Sequence, residues 1–170
     1  MKDYINHIIE TIEAHSADFT NAGLTPPATI DIHMGQPARP EDFEFALPAV
    51  FIDYSADYDG ETFDLYLHVV QDFGADTENF APQRDMGLDF IKFLSVLKKC
   101  LYGLKMKPVF GPLRLYQEVP MQPDFFYYHM ITFRCSFSTA FYSETDRYID
   151  AEPVRPVIDK VRLKETTEGL

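Results

Sequence analysis

Tryptophan is absent from this chain, cysteine occurs twice, and the basic residues are outnumbered almost two to one by acids. No apolar run approaches the roughly 18 residues of a membrane helix, so neither a transmembrane span nor a membrane partner is expected. The cysteines, Cys100 and Cys135, are too few for a disulfide scaffold, and a bridge between them is not expected in a reducing cytoplasm. Both thiols read as small core hydrophobes, Cys100 on a helix and Cys135 on the inward face of a late strand. The opening Met1-Lys2-Asp3-Tyr4 lacks the basic start and apolar stretch of a secretory signal, which makes the cytoplasm the expected location.

Catalytic signatures are missing as well. No glycine-rich phosphate loop, nucleophile elbow, HExxH helix or paired CxxC occurs. The 15 Lys and Arg against 27 Asp and Glu leave a formal charge of −12. Residues 1–84 hold 16 acids and only three bases, whereas residues 85–120 hold six bases and three acids. Tight nucleic-acid binding needs clustered Lys and Arg, so this balance disfavours it. The same balance suits association in which a basic patch on one subunit meets an acidic patch on the next. It equally suits a solvated surface that keeps the chain dispersed.

What is present points to sheet and helix. A length of 170 residues fits one domain with its own core, and 15 Phe with 10 Tyr suit sheets with well-filled faces. Residues 3–19 form an expected amphipathic helix, with Ile5, Ile8, Ile9, Ile12 and Phe19 at helical spacing and a stop at Asn21-Ala22-Gly23. Residues 25–48 contain five prolines and Gly35, which predicts a loop with a short edge strand within Ala28–Met34. A loop of that length is usually functional or ordered by a partner.

Strands follow at 49–55 and 61–73, joined by an acidic turn through Asp57, Asp59 and Gly60. In the second strand Phe63, Leu65, Leu67 and Val69 alternate with polar residues, which predicts one buried and one wetter face. Residues 73–83 read as a polar loop. Residues 85–103 read as a helix capped by Asp85 and Gly103, with Leu88, Ile91, Leu94, Leu97, Leu101 and Leu104 as a stripe that Phe90, Phe93 and Cys100 widen. Two more strands are expected at 113–119 and 125–139. The expected fold is α+β, a mixed and mainly antiparallel sheet with a ββαββ core, an N-terminal helix and a second helix packed on the sheet. Residues 1–150 form the expected domain and 151–170 an extended arm, whose Val154, Val157, Ile158 and Val161 suit docking on a neighbour.

One constellation carries potential chemistry. Asp64, Tyr66 and His68 share a strand face, and His129 on the last strand would join them if the two strands were neighbours in the right register. Alternation also groups polar residues on any exposed sheet face, so a solvated face is the plainer reading. Asp57 and Asp59 beside Gly60 resemble the start of a calcium loop but lack its later acidic ligand, which leaves an acidic hairpin tip.

The strand Leu47–Ile52, the helical segment Phe90–Leu94 and the late strand Ile131–Phe137 together resemble small tail-terminator or tail-completion proteins of long-tailed phages and prophages, over about residues 1–142. That resemblance implies a structural protein without catalysis or cofactor. It implies a ring, commonly hexameric, that caps the tail tube and joins it to the head. The implied partners are tail-tube and head-completion proteins, with DNA only in passage through a lumen. Assembly would occur in the cytoplasm and end in a virion or tail-like particle. On this reading Asp53, Asp57, Asp59, Glu61 and Asp64 are candidate lumen or ring-end acids, since an acidic lumen repels phosphate. Lys92, Lys98, Lys99 and Lys105 are candidate contacts to a neighbouring subunit. The 20–48 loop and the C-terminal tail depart from the family pattern. Two other readings stay open: an acidic inhibitor or immunity-type binding module, and a small enzyme on the Asp64/His68/His129 face.

Overall fold

The computed structural model describes residues 1–72, 80–121 and 126–138, all within the compact unit Met1–Thr139. The expected C-terminal arm and most of the expected 73–83 loop lie outside the described residues.

The chain opens with helix α1, Lys2–Ala14, which buries Ile5, Ile8 and Ile12 as the helical spacing predicts, together with Tyr4, while Ile9 is only half-buried. The single helix expected over 3–19 is in fact two. His15 (φ −91°, ψ 13°) interrupts it, and α2, Ser16–Asn21, follows. Phe19 on α2 is buried, its ring 4.8 Å from that of Phe93. Helix α2 ends as its Gly predicts: Gly23 adopts φ 75°, and the N–H groups of Gly23 and Leu24 bond the carbonyls of Thr20 and Phe19.

Five strands form one sheet: β1 Thr29–Ile32, β2 Ala49–Asp57, β3 Thr62–Asp72, β4 Arg114–Met121 and β5 Phe126–Ser136. Their order is β1-β2-β3-β5-β4, with β1 parallel to β2 and the other pairs antiparallel. The protein is therefore α+β with a mixed, mainly antiparallel sheet. Strand β1 is the edge strand expected in the proline-rich loop, and the rest of that loop contains two short 3-10 turns.

Helix α3, Phe80–Leu101, lies on the same sheet face as α1. Phe90 meets the rings of Tyr127 and His129 on β5, while Tyr4 of α1 meets Phe63 on β3. Two expectations about α3 are corrected. The helix begins five residues before Asp85, so Pro82 occupies its first turn, where a missing N–H costs no helical bond. Its buried stripe is Phe90, Phe93, Leu94, Leu97 and Leu101, while Leu88 and Ile91 are exposed, at 56% and 57%. The aromatic side chains set this phase, because burying two phenyl rings outweighs burying a Leu and an Ile.

The sheet also lacks a uniformly wet outer face. Ala49, Phe51 and Val70 are buried there beneath Phe45, Leu47, Phe126 and Tyr128. The proline-rich loop thus supplies Phe45 and Leu47 to cover one end of the sheet. The remainder of that face carries Asp53, Ser55, Asp64 and Tyr66.

Candidate functional site

Register decides which polar side chains meet. Val69, not His68, lies opposite His129, and His68 lies opposite Met130. A one-residue offset places side chains on opposite faces, so the expected Asp64/His68/His129 group does not assemble. His129 lies on the helix side, its ring 5.2 Å from Phe90 and its Nδ1 3.3 Å from Glu118 Oε1. Asp64 is instead engaged by Arg134, and Tyr66 shares a 3.1 Å hydrogen bond with Ser55.

His68 acquires different partners. The parallel register sets Ile32 beside Ile52, and the His33 N–H donates to the Ile52 carbonyl at 2.8 Å. His33 therefore projects from the same face as Asp53 and His68. The two imidazoles stack with centroids 3.8 Å apart and planes 9° from parallel. On its far side His68 Nδ1 shares a 2.6 Å hydrogen bond with Tyr128 Oη. Buried Gln36 fixes the chain just after His33, donating to Ile32 O at 2.8 Å and accepting from Met34 N–H at 2.6 Å. Burial, helped by the adjacent His33 and opposed by Asp53, pushes the His68 pKa down to about 4. Burial lowers His33 as well, again against the pull of Asp53. Sequence reasoning missed His33 because its placement depends on which strand β1 pairs with, and β1 has only four residues of sequence to specify that partner.

The candidate acids divide. Asp57, Asp59 and Glu61 form an exposed tip on the β2–β3 hairpin, and Asp53 is exposed on the outer face. Asp57 Oδ1 accepts from the N–H groups of Asp59 and Gly60, so part of this carboxylate organises the turn. A Cβ at Gly60 would stand 2.5 Å from Asp57 Oδ2, and the left-handed residue of the turn is Glu61, at φ 47°. Among the candidate bases, Lys92 donates to the Ala22 carbonyl at the end of α2, and Lys98 bridges to Glu118 at 2.6 Å. Lys99 and Lys105 are exposed.

The sheet edges carry a different signal. Every residue of β4 is exposed except the half-buried Val119. Leu115, Tyr116 and Met121 are exposed apolar side chains on this strand, and Ile32 and Met34 occupy the opposite edge at β1. An open groove of about 500 Å³ runs from the hairpin tip to β4, with Glu61, Arg114, Leu115, Tyr116 and Arg134 in its walls. No protein-family model and no curated protein matches this chain. No helix among the described residues is long and apolar enough to cross a membrane.

Proposed function

We propose that this chain is a structural assembly protein whose copies join edge to edge into a closed ring, in the manner of phage tail-terminator proteins that cap a tail tube and join it to the head. The observation that carries this reading is the pair of sheet edges, β4 and β1, at opposite ends of one sheet and both bearing exposed apolar side chains. Joining unlike edges of identical subunits is a head-to-tail contact, which closes into a ring when the rotation per subunit divides a full turn. The β4–β5 register is irregular between Leu115 and Gln117, and Pro120 has no N–H to donate, so β4 is a poor template for backbone pairing with another strand. The contact is therefore made chiefly by side chains, which disfavours open-ended strand addition.

Charge fits the same reading. Asp53, Asp57, Asp59 and Glu61 supply an acidic surface for a lumen that DNA crosses without being held, a repulsion that acts over about 8 Å at physiological salt. Exposed Lys99 and Lys105 supply the basic counterpart for a neighbouring subunit. Native mass spectrometry across a concentration series, alone and with tail-tube protein, tests the proposal. A single discrete ring mass supports it; monomer under both conditions contradicts it.

A further inference from the structure

We infer that His33, Asp53 and His68 form a binding site for one divalent transition-metal ion of the zinc class, on the sheet face away from the helices. The site shares Asp53 with the acidic surface of the ring reading, but zinc binding is read out separately from ring mass. The site rests on β2, β3 and the residue that follows β1 presenting two imidazole nitrogens and a carboxylate oxygen whose ligating atoms lie within 4.8 Å of one another.

The donor set suits that class of ion. Zinc takes imidazole nitrogen and carboxylate oxygen, and three protein ligands leave a fourth position for water. Calcium and magnesium prefer all-oxygen shells, so two histidines argue against them. Ligands of a tetrahedral zinc stand about 3.4 Å apart, given bonds of about 2.0–2.1 Å. Closing from separations of up to 4.8 Å requires the half-buried His33 ring and the exposed Asp53 carboxylate to draw in toward buried His68, and to turn the stacked rings out of parallel.

Support around the ligands is already built. Metal-bound histidines characteristically bond an oxygen through their second nitrogen, which orients the ring. Tyr128 Oη stands at that position, 2.6 Å from His68 Nδ1, and the tautomer that donates Nδ1–H to it leaves the Nε2 lone pair free for a metal. Backbone pairing to Ile52 and the bonds of Gln36 hold the His33 segment in place. The second cluster with ligand types, His15, Asp18 and Cys100, is a poorer site. His15 is already bonded to Asp18 at 2.8 Å, and the Cys100 thiol, pushed up to about 11 chiefly by burial, donates to Val96 O.

The test is zinc titration of the chelator-treated full chain in competition with a chromophoric chelator, with cobalt substitution to report ligand geometry by absorption. One zinc per chain is expected. His33→Ala and Asp53→Asn, both altering accessible side chains, should each weaken binding by more than about tenfold, and Tyr128→Phe by about tenfold through loss of ring positioning. His15→Ala should leave affinity unchanged. Circular dichroism of each variant separates lost binding from lost fold. Absence of stoichiometric binding, or affinity unaltered in both folded His33→Ala and folded Asp53→Asn, overturns the site.

Discussion

Arg134 on β5 holds Asp64 on β3 through two parallel hydrogen bonds, Nε to Oδ1 at 2.6 Å and Nη2 to Oδ2 at 2.7 Å. The same guanidinium lies 3.8 Å over the ring of Tyr116 on β4, so one side chain ties three strands together on the outer face. Hydrogen bonding to Asp64 is the main reason its pKa is raised further above the usual arginine value. Asp64 is therefore part of the sheet's framework, in contrast to the exposed acids of the hairpin tip.

A double-mutant cycle on Asp64→Ala and Arg134→Ala, read from urea midpoints, should give a stabilising coupling that weakens in high salt. Arg134→Lys should restore only part of it, because an ammonium cannot bond both carboxylate oxygens and stack on Tyr116. Additive single effects would remove the strand-tying role.

Tyr4 gives a prediction of opposite sense. Its ring stacks on Phe110 at 3.9 Å and meets Phe63 edge-on at 5.5 Å, yet its buried hydroxyl has no ordinary hydrogen-bond partner. Burial pushes its pKa up, and the nearby Cys135 thiol, a weak partner, adds to the shift. Tyr4→Phe should leave stability unchanged or raise it by up to about 1 kcal/mol. Tyr4→Ala should cost about 3–5 kcal/mol through the cavity it leaves. Thermal melts of the two variants check both values.

Stability should also fall on mild acidification. His68 takes up a proton near its ordinary 6.5 when unfolded but only near about 4 when folded, so between those pH values unfolding binds a proton. Stability from burying the neutral ring is complete above 6.5 and declines as pH drops toward about 4. His33 shifts in the same direction and adds to the slope. Urea midpoints of metal-free protein across this window should decline, and His68→Gln should flatten the decline. A midpoint that rises on acidification would refute this reading of the buried ring.

Local pattern carried the reading of elements, and non-local pairing limited it. Alternation from Phe63 to Val69 identified the inner face of β3, and the isoleucines of α1 identified its buried stripe, because both signals sit within one element. The expected stripe of α3 is too wide: Phe90, Phe93, Leu94, Leu97 and Leu101 are buried as expected, but Leu88 and Ile91 are equally apolar and only the sheet beneath leaves them out. The His68–His129 pairing failed by one residue of register, which is enough to change faces. The His33–His68 stack depends on the parallel pairing of a four-residue strand and has no local signal at all.

The claim that copies join through unlike edges is tested most directly by mixing two variants, Leu115→Asp on β4 and Met34→Asp beside β1. The account predicts that wild-type chains give a closed ring, a discrete multiple of 19.6 kDa, and that each variant alone stays monomeric. Their mixture should form a heterodimer and nothing larger, because only one intact pair of edges remains. A ring mass unaffected by either substitution, or a mixture that stays monomeric while the wild type forms rings, would contradict edge-to-edge assembly.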